Sequence, residues 1–112
     1  MSDESLIKSS DLIGKTIGNA VGGKLGTIRE VYIDRETGAA RFAIIDTGGL
    51  FGVGGKFHPI PWRLLRFDPG TGVYATSLTK ERIHAAPAYD RDQLSSASYG
   101  WSEQTARYFD AL

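Results

Sequence analysis

The segment Gly38–Trp62, GAARFAIIDTGGLFGVGGKFHPIPW, constrains the fold more than any other part of this chain. An apolar run, Phe42-Ala43-Ile44-Ile45, leads into the glycine-rich stretch Gly48–Gly55 and then into an extended segment carrying Pro59 and Pro61. The first run is apolar on both parities, which predicts a central strand covered on both faces. Proline donates no ladder hydrogen bond, so the second run belongs on an edge or rim. Neither run shows the 3.6-residue period of a helix. A chain built around this segment is a β protein.

The flanking sequence repeats the same vocabulary. Strand patterns cover Gly14–Ala20 around Ile17 and Leu25–Asp34 around Ile28, Val31 and Ile33, with a Gly22-Gly23-Lys24 reversal between them. Ile28 is out of phase with Val31 and Ile33, which predicts a bulge near Arg29-Glu30. Arg35-Glu36-Thr37-Gly38 is a turn, followed by a strand over Ala39–Thr47. Lys56–Phe67 alternates at Ile60, Trp62 and Leu64 and then changes phase at Leu65 and Phe67. Asp68-Pro69-Gly70-Thr71-Gly72 punctuates the chain before a short strand, Val73–Leu78. Thr79 is positioned to cap a helix over Lys80–Ala86, which Pro87 stops. Short strands, phase slips and glycine reversals predict an all-β fold: a small barrel of five or six short, bent antiparallel strands, with Ile33, Ile44 and Trp62 in its interior.

The ends differ from the middle. Residues 1–10 read as a disordered tail, 11–90 as the domain, and 91–100 as a serine-rich linker. Residues 101–112 place Trp101, Thr105, Tyr108, Phe109 and Leu112 on one helical face, with Ser102 as the expected cap. A helix this short is unstable alone, so its stripe needs a surface to cover. Docking across a homodimer is the expectation.

Composition narrows the function classes. Thirteen Lys+Arg balance thirteen Asp+Glu, so no global field attracts nucleic acid or an anionic membrane. Without cysteine there is no disulfide, thiolate metal site or thiol nucleophile. No apolar run reaches membrane-span length and the first residues lack a signal-peptide pattern, so a cytoplasmic protein without direct membrane insertion is expected.

Candidate chemistry is sparse. Asp46-Thr47-Gly48 resembles the triplet of retroviral-type aspartic peptidases, which share a proton between two carboxylates. Gly49 stands where that family has Ala or Ser, and the glycine-rich stretch follows the triplet too closely to be its flap. An Asx turn ending a strand is the preferred reading of Asp46. Gly48–Gly55 is followed by Lys56-Phe57 and prolines, not by the Lys-Ser/Thr pair and helix of a phosphate loop. A small-molecule site under that loop is a further alternative. His58 and His84 lack neighbouring ligands at metal spacing and are expected at the surface or rim. Trp62 beside Arg63 is read as a core or rim residue, and Lys80-Glu81-Arg82 as a solvated helix face. No catalytic residue, metal or cofactor is expected. The candidate protein-contact surface is Leu50, Phe51 and Val53 at the loop with Trp101, Tyr108, Phe109 and Leu112 on the tail.

Asp11-Leu12-Ile13-Gly14-Lys15, Gly23-Lys24-Leu25-Gly26-Thr27-Ile28 and Ile33-Asp34-Arg35-Glu36-Thr37-Gly38 resemble the opening of a PRC-barrel domain. Gly48–Gly54, Ile60-Pro61-Trp62, Leu78-Thr79-Lys80-Glu81 and Ala85-Ala86-Pro87-Ala88-Tyr89-Asp90 continue the likeness in order. The family includes the cytoplasmic domain of the photosynthetic reaction-centre H subunit and the C-terminal domain of a ribosome maturation factor. The resemblance implies a small β-barrel that serves protein binding or assembly, with no catalytic residues to carry over. This chain looks like a stand-alone bacterial member, because it shows neither the membrane helix of the H subunit nor the N-terminal barrel of the ribosome factor. A homo-oligomeric protein-contact module is the expectation.

Overall fold

The computed structural model describes residues 5–19, 23–48, 56–96 and 98–112. A single turn, α1 (Ser9–Leu12), precedes six strands: β1 (Thr16–Asn19), β2 (Lys24–Ile33), β3 (Ala40–Asp46), β4 (His58–Pro61), β5 (Arg66–Asp68) and β6 (Val73–Thr76). A 3-10 turn, Trp62–Leu64, separates β4 from β5, and α2 (Lys80–Ala85), α3 (Arg91–Leu94) and α4 (Trp101–Asp110) complete the chain. The sheet order is β4-β3-β2-β1-β6-β5, antiparallel throughout except for the parallel pair β1–β6.

The sheet corrects the expected barrel in two respects. One pairing is parallel, and hydrogen bonds do not close the ring, because β4 and β5 are its two edges. The predicted strand Lys56–Phe67 breaks at its phase change, so its halves lie on opposite edges. The outer strands of a flat six-stranded sheet lie about 24 Å apart. The chain from Pro61 to Arg66 spans at most about 18 Å. The sheet must therefore curl, and it brings the Trp62 ring within 5.5 Å of Tyr74 on β6.

Bulges set the phase of what faces inward. The β2–β3 register shifts between Ile28 and Glu30, which puts Ile28 and Val31 in one cluster despite their three-residue spacing. A second shift lies between Tyr32 and Ile33. Beyond it Ile33 ends its strand 57% exposed, so it is not an interior residue as the alternation predicts. Gly26 sits at a close crossing, where a Cβ would lie 2.6 Å from the Asp46 carbonyl oxygen. A side chain there would push β2 off β3.

Burial divides at β3. Ala43 and Ile45 face the cluster inside the curl with Ile17, Leu25, Ile28 and Ile60. Phe42 and Ile44 face the other way, into a second cluster with Tyr89, Leu94 and Trp101. Ile44 is thus buried as expected, but on the outer face and under the C-terminal segment. Trp62 is half-buried against the inner cluster. His58 also departs from expectation: it is 9% exposed within β4, with no hydrogen-bond partner for Nδ1. Burial pushes its imidazole below the usual histidine range and His84 adds to that, while the Ala86 and Pro87 carbonyls oppose it.

Candidate contact surface

The segment read as a linker is structured where sequence polarity hid it. Phe57 and Tyr89 exchange backbone hydrogen bonds of 2.8 and 2.9 Å, fixing the point where the chain turns onto the outer face of the sheet. Asp90 then opens α3 with a capping box: its carboxylate accepts from the Gln93 amide, and the Gln93 side chain accepts from the Asp90 amide. The Leu94 carbonyl accepts from Trp101 Nε1 at 3.0 Å and from the Tyr32 hydroxyl at 3.2 Å. Burial, then the charge of Glu30, raises the Tyr32 hydroxyl above its ordinary pKa and keeps it a donor. The Tyr89 hydroxyl donates to the side-chain oxygen of Gln104 on α4.

Trp101 is the centre of this strap. Its ring packs edge-on against Tyr32 and Phe42, each at 5.2 Å between centroids, and lies tilted against Tyr89 at 6.3 Å. These offset contacts suit the ring quadrupoles. The sequence expectation therefore needs correction at the tail. Trp101 (6% exposed) and Phe109 (4%) are buried against their own chain. Tyr108 is half-buried, its hydroxyl donating to the Arg82 carbonyl at 2.7 Å, and Leu112 is exposed. The helix starts at Trp101 from Gly100 without a side-chain cap, so Ser102 is already inside it. Leu50, Phe51 and Val53 lie outside the described residues.

What the strap leaves open is a recess beside Trp101. It has a volume of about 180 Å³ and is bordered by Tyr32, Ile33, Arg35, Arg41, Tyr99 and Ser102. Ile33 is 57% and Tyr99 45% exposed, and the Tyr99 ring stands edge-on to Tyr32 at 5.7 Å. Tyr99 has φ +47°, the one non-glycine residue in the left-handed region among those described. Such a conformation costs roughly 1–3 kcal/mol and persists only where its surroundings enforce it. Arg41 lies 5.5 Å over the Phe42 ring. The Asp34 carboxylate accepts from the Glu36 and Thr37 amides at 2.9 and 3.1 Å, which lowers its pKa and ties it to its own turn. Sequence reading missed Ile33 because alternation placed it inside, and Tyr99 because serines surround it. The Tyr-Gly-Trp triplet at 99–101 was the available signal.

Asp46 behaves as a turn residue. Its Oδ1 accepts from the Gly48 amide at 2.8 Å, with Gly48 at φ +69°, and Arg29 lies 4.0 Å from Oδ2. Among the described residues no three His, Cys, Asp or Glu side chains converge as metal ligands. No helix among the described residues is long and apolar enough to cross a membrane.

The described residues thus form a curled, bulged sheet around an apolar interior. Over residues 4–84 the chain matches the PRC-barrel domain, and it belongs to that family. It is 33% identical over 85 residues to an uncharacterized protein of Deinococcus radiodurans, a match covering 76% of this chain. The chain spans 30% of that relative's length. Most of the strap lies beyond the family match, since α3 and α4 follow residue 84.

Proposed function

We propose that the chain is a non-catalytic protein-contact module that works as a homo-oligomer and offers the Tyr32–Tyr99 recess to a protein partner. The family itself suggests a non-catalytic module. The observation that carries the contact role is Tyr99, half-exposed, held at positive φ and bordering a recess with exposed Ile33 and two arginines. Aromatic residues and arginine at the margin of a recess are the side chains that dominate binding energy at interfaces.

A photo-cross-linking residue placed at Tyr99 tests this in cells, with one at exposed Glu81 on α2 as control. Discrete protein adducts from position 99 and none from 81 are expected. Equal, diffuse labelling from both positions would remove the recess from the proposal. Sedimentation of the purified chain tests the homo-oligomer separately.

A further inference from the structure

Of the two edges of the sheet, only one is built to exclude another strand. β4 carries Pro59 and Pro61, which lack the N–H groups that a docking strand would use. β5, Arg66–Asp68, has no proline and pairs with β6 alone; among the described residues no strand lies beyond it. The N–H and C=O groups that face away from β6 are a template for pairing.

The three side chains of β5 specify which strand fits. In an antiparallel pair centred on Phe67, Arg66 of each chain stands opposite the partner's Asp68. Arg-Phe-Asp is therefore complementary to itself under a two-fold axis, as an isologous contact requires. Arg66 is exposed and makes no ion pair among the described residues. The Asp68 carboxylate is held at the strand end by the Gly70 amide at 2.9 Å and the Thr71 hydroxyl at 3.1 Å. A carboxylate has lone pairs to spare for a guanidinium beyond these two donors.

The aromatic packing points to the same occupant. The Trp62 ring lies 5.5 Å from Tyr74, and Tyr74 lies 5.3 Å from its cross-strand neighbour Phe67. Tyr74 is 7% exposed but Phe67 is 45% exposed, so this row of rings ends at an uncovered member on the open edge. A second copy brings the partner's Phe67 against it, and the row continues across the axis.

We propose that two copies of this chain associate edge to edge through β5, with Arg66 of each opposite the partner's Asp68 and the two Phe67 rings in contact. The inference rests on the homo-oligomer reading above and names its surface. Three residues per chain make a small contact, so the dimer is concentration-dependent and weakened by salt.

Sedimentation velocity of the full chain across a concentration series, at low and high salt, is the test. Arg66→Glu and Asp68→Arg each set like charges opposite one another, and each alone is expected to weaken self-association by about tenfold. Mixed together, the two variants should dimerise again. The carboxylate introduced at 66 then meets the guanidinium introduced at 68, and the native Asp68 meets the native Arg66. Asp68→Asn, which keeps an acceptor for the turn, covers the case in which Asp68→Arg does not fold; it should weaken association by a few-fold. A dimer indifferent to Arg66→Glu and Asp68→Asn overturns the β5 contact and leaves the homo-oligomer reading standing. A chain that stays monomeric at every concentration overturns both.

Discussion

The two faces of β3 are buried by different means. Its inner face, through Ala43 and Ile45, is covered by the curl of the sheet and by residues of β1, β2, β4 and β6 within the family-matched span, with Phe109 of α4 joining the cluster from beyond it. Its outer face, through Phe42 and Ile44, is covered by Tyr89, Leu94 and Trp101 of a segment that follows that span. The inner cluster is made mostly by the sheet itself. The outer one is a lid that this chain lays on a face its sheet would otherwise expose.

The largest expected effect comes from the lid's anchor. Trp101→Ala removes three ring contacts and the hydrogen bond to the Leu94 carbonyl, and core Trp→Ala changes cost about 3–5 kcal/mol. If the strap is a separate cooperative unit, that loss is confined to it. Amide exchange should then accelerate over residues 90–109 while β1 and the Ile28 region of β2 stay protected. Uniform acceleration would mean that the two faces open together.

Ile45→Ala and Ile44→Ala make the sharper pair, one residue apart on opposite faces of β3. Each side chain is 1% exposed, so each truncation should cost about 2–5 kcal/mol. Ile45→Ala should lower global stability in full, as measured by chemical denaturation. Ile44→Ala should show the smaller loss, because the strap can settle into the space it leaves. An equal loss at both positions would make the lid as rigid as the interior.

How far this arrangement was legible in the sequence depends on the range of the cause. Local signals held: Thr79 accepts from the Arg82 amide to cap α2, the prolines of β4 lie on an edge, and the Ile28 phase slip is a bulge. The apolar parity of β3 correctly announced two covered faces, but nothing local said what would cover the outer one. The parallel β1–β6 pairing joins strands more than fifty residues apart, and no periodicity encodes such a choice. The exposure of Ile33 follows from a register shift at the end of β2. The strap was hidden because Ser95, Ser96 and Ser98 dilute the signal of Leu94, Tyr99 and Trp101. The recess inherits that blindness, since Tyr99 and Trp101 form its strap-side wall.

A smaller effect should follow acidification. His58 has its pKa lowered in the folded state from an ordinary 6.5, chiefly by burial. The unfolded chain therefore binds the proton more readily, so stability is full above about pH 6.5 and falls as pH drops below that value. His58 lies next to the Phe57–Tyr89 bridge that starts the strap, so the loss should appear there first. His58→Gln should flatten the stability profile between pH 7 and 5. A profile unchanged by that substitution would locate the acid sensitivity elsewhere.

The smallest expected effect concerns the far end of the lid. Arg63 of the 3-10 turn donates to Asp110 of α4 at 2.8 Å, and the two side chains are 58% and 69% exposed. An ion pair so open to solvent is screened and must hold two mobile side chains in one geometry. Its contribution is of the order of 0.2–1 kcal/mol, well below that of the Trp101 contacts. Phe109, one residue before Asp110, is buried in the inner cluster, so apolar packing already fixes this end of α4. Asp110→Asn should therefore change the denaturation midpoint only slightly, and added salt should erase the difference. A loss comparable to that of Trp101→Ala would mean that the strap is held at its end by charge, and the contrast between a packed anchor and a loosely tied end would fail.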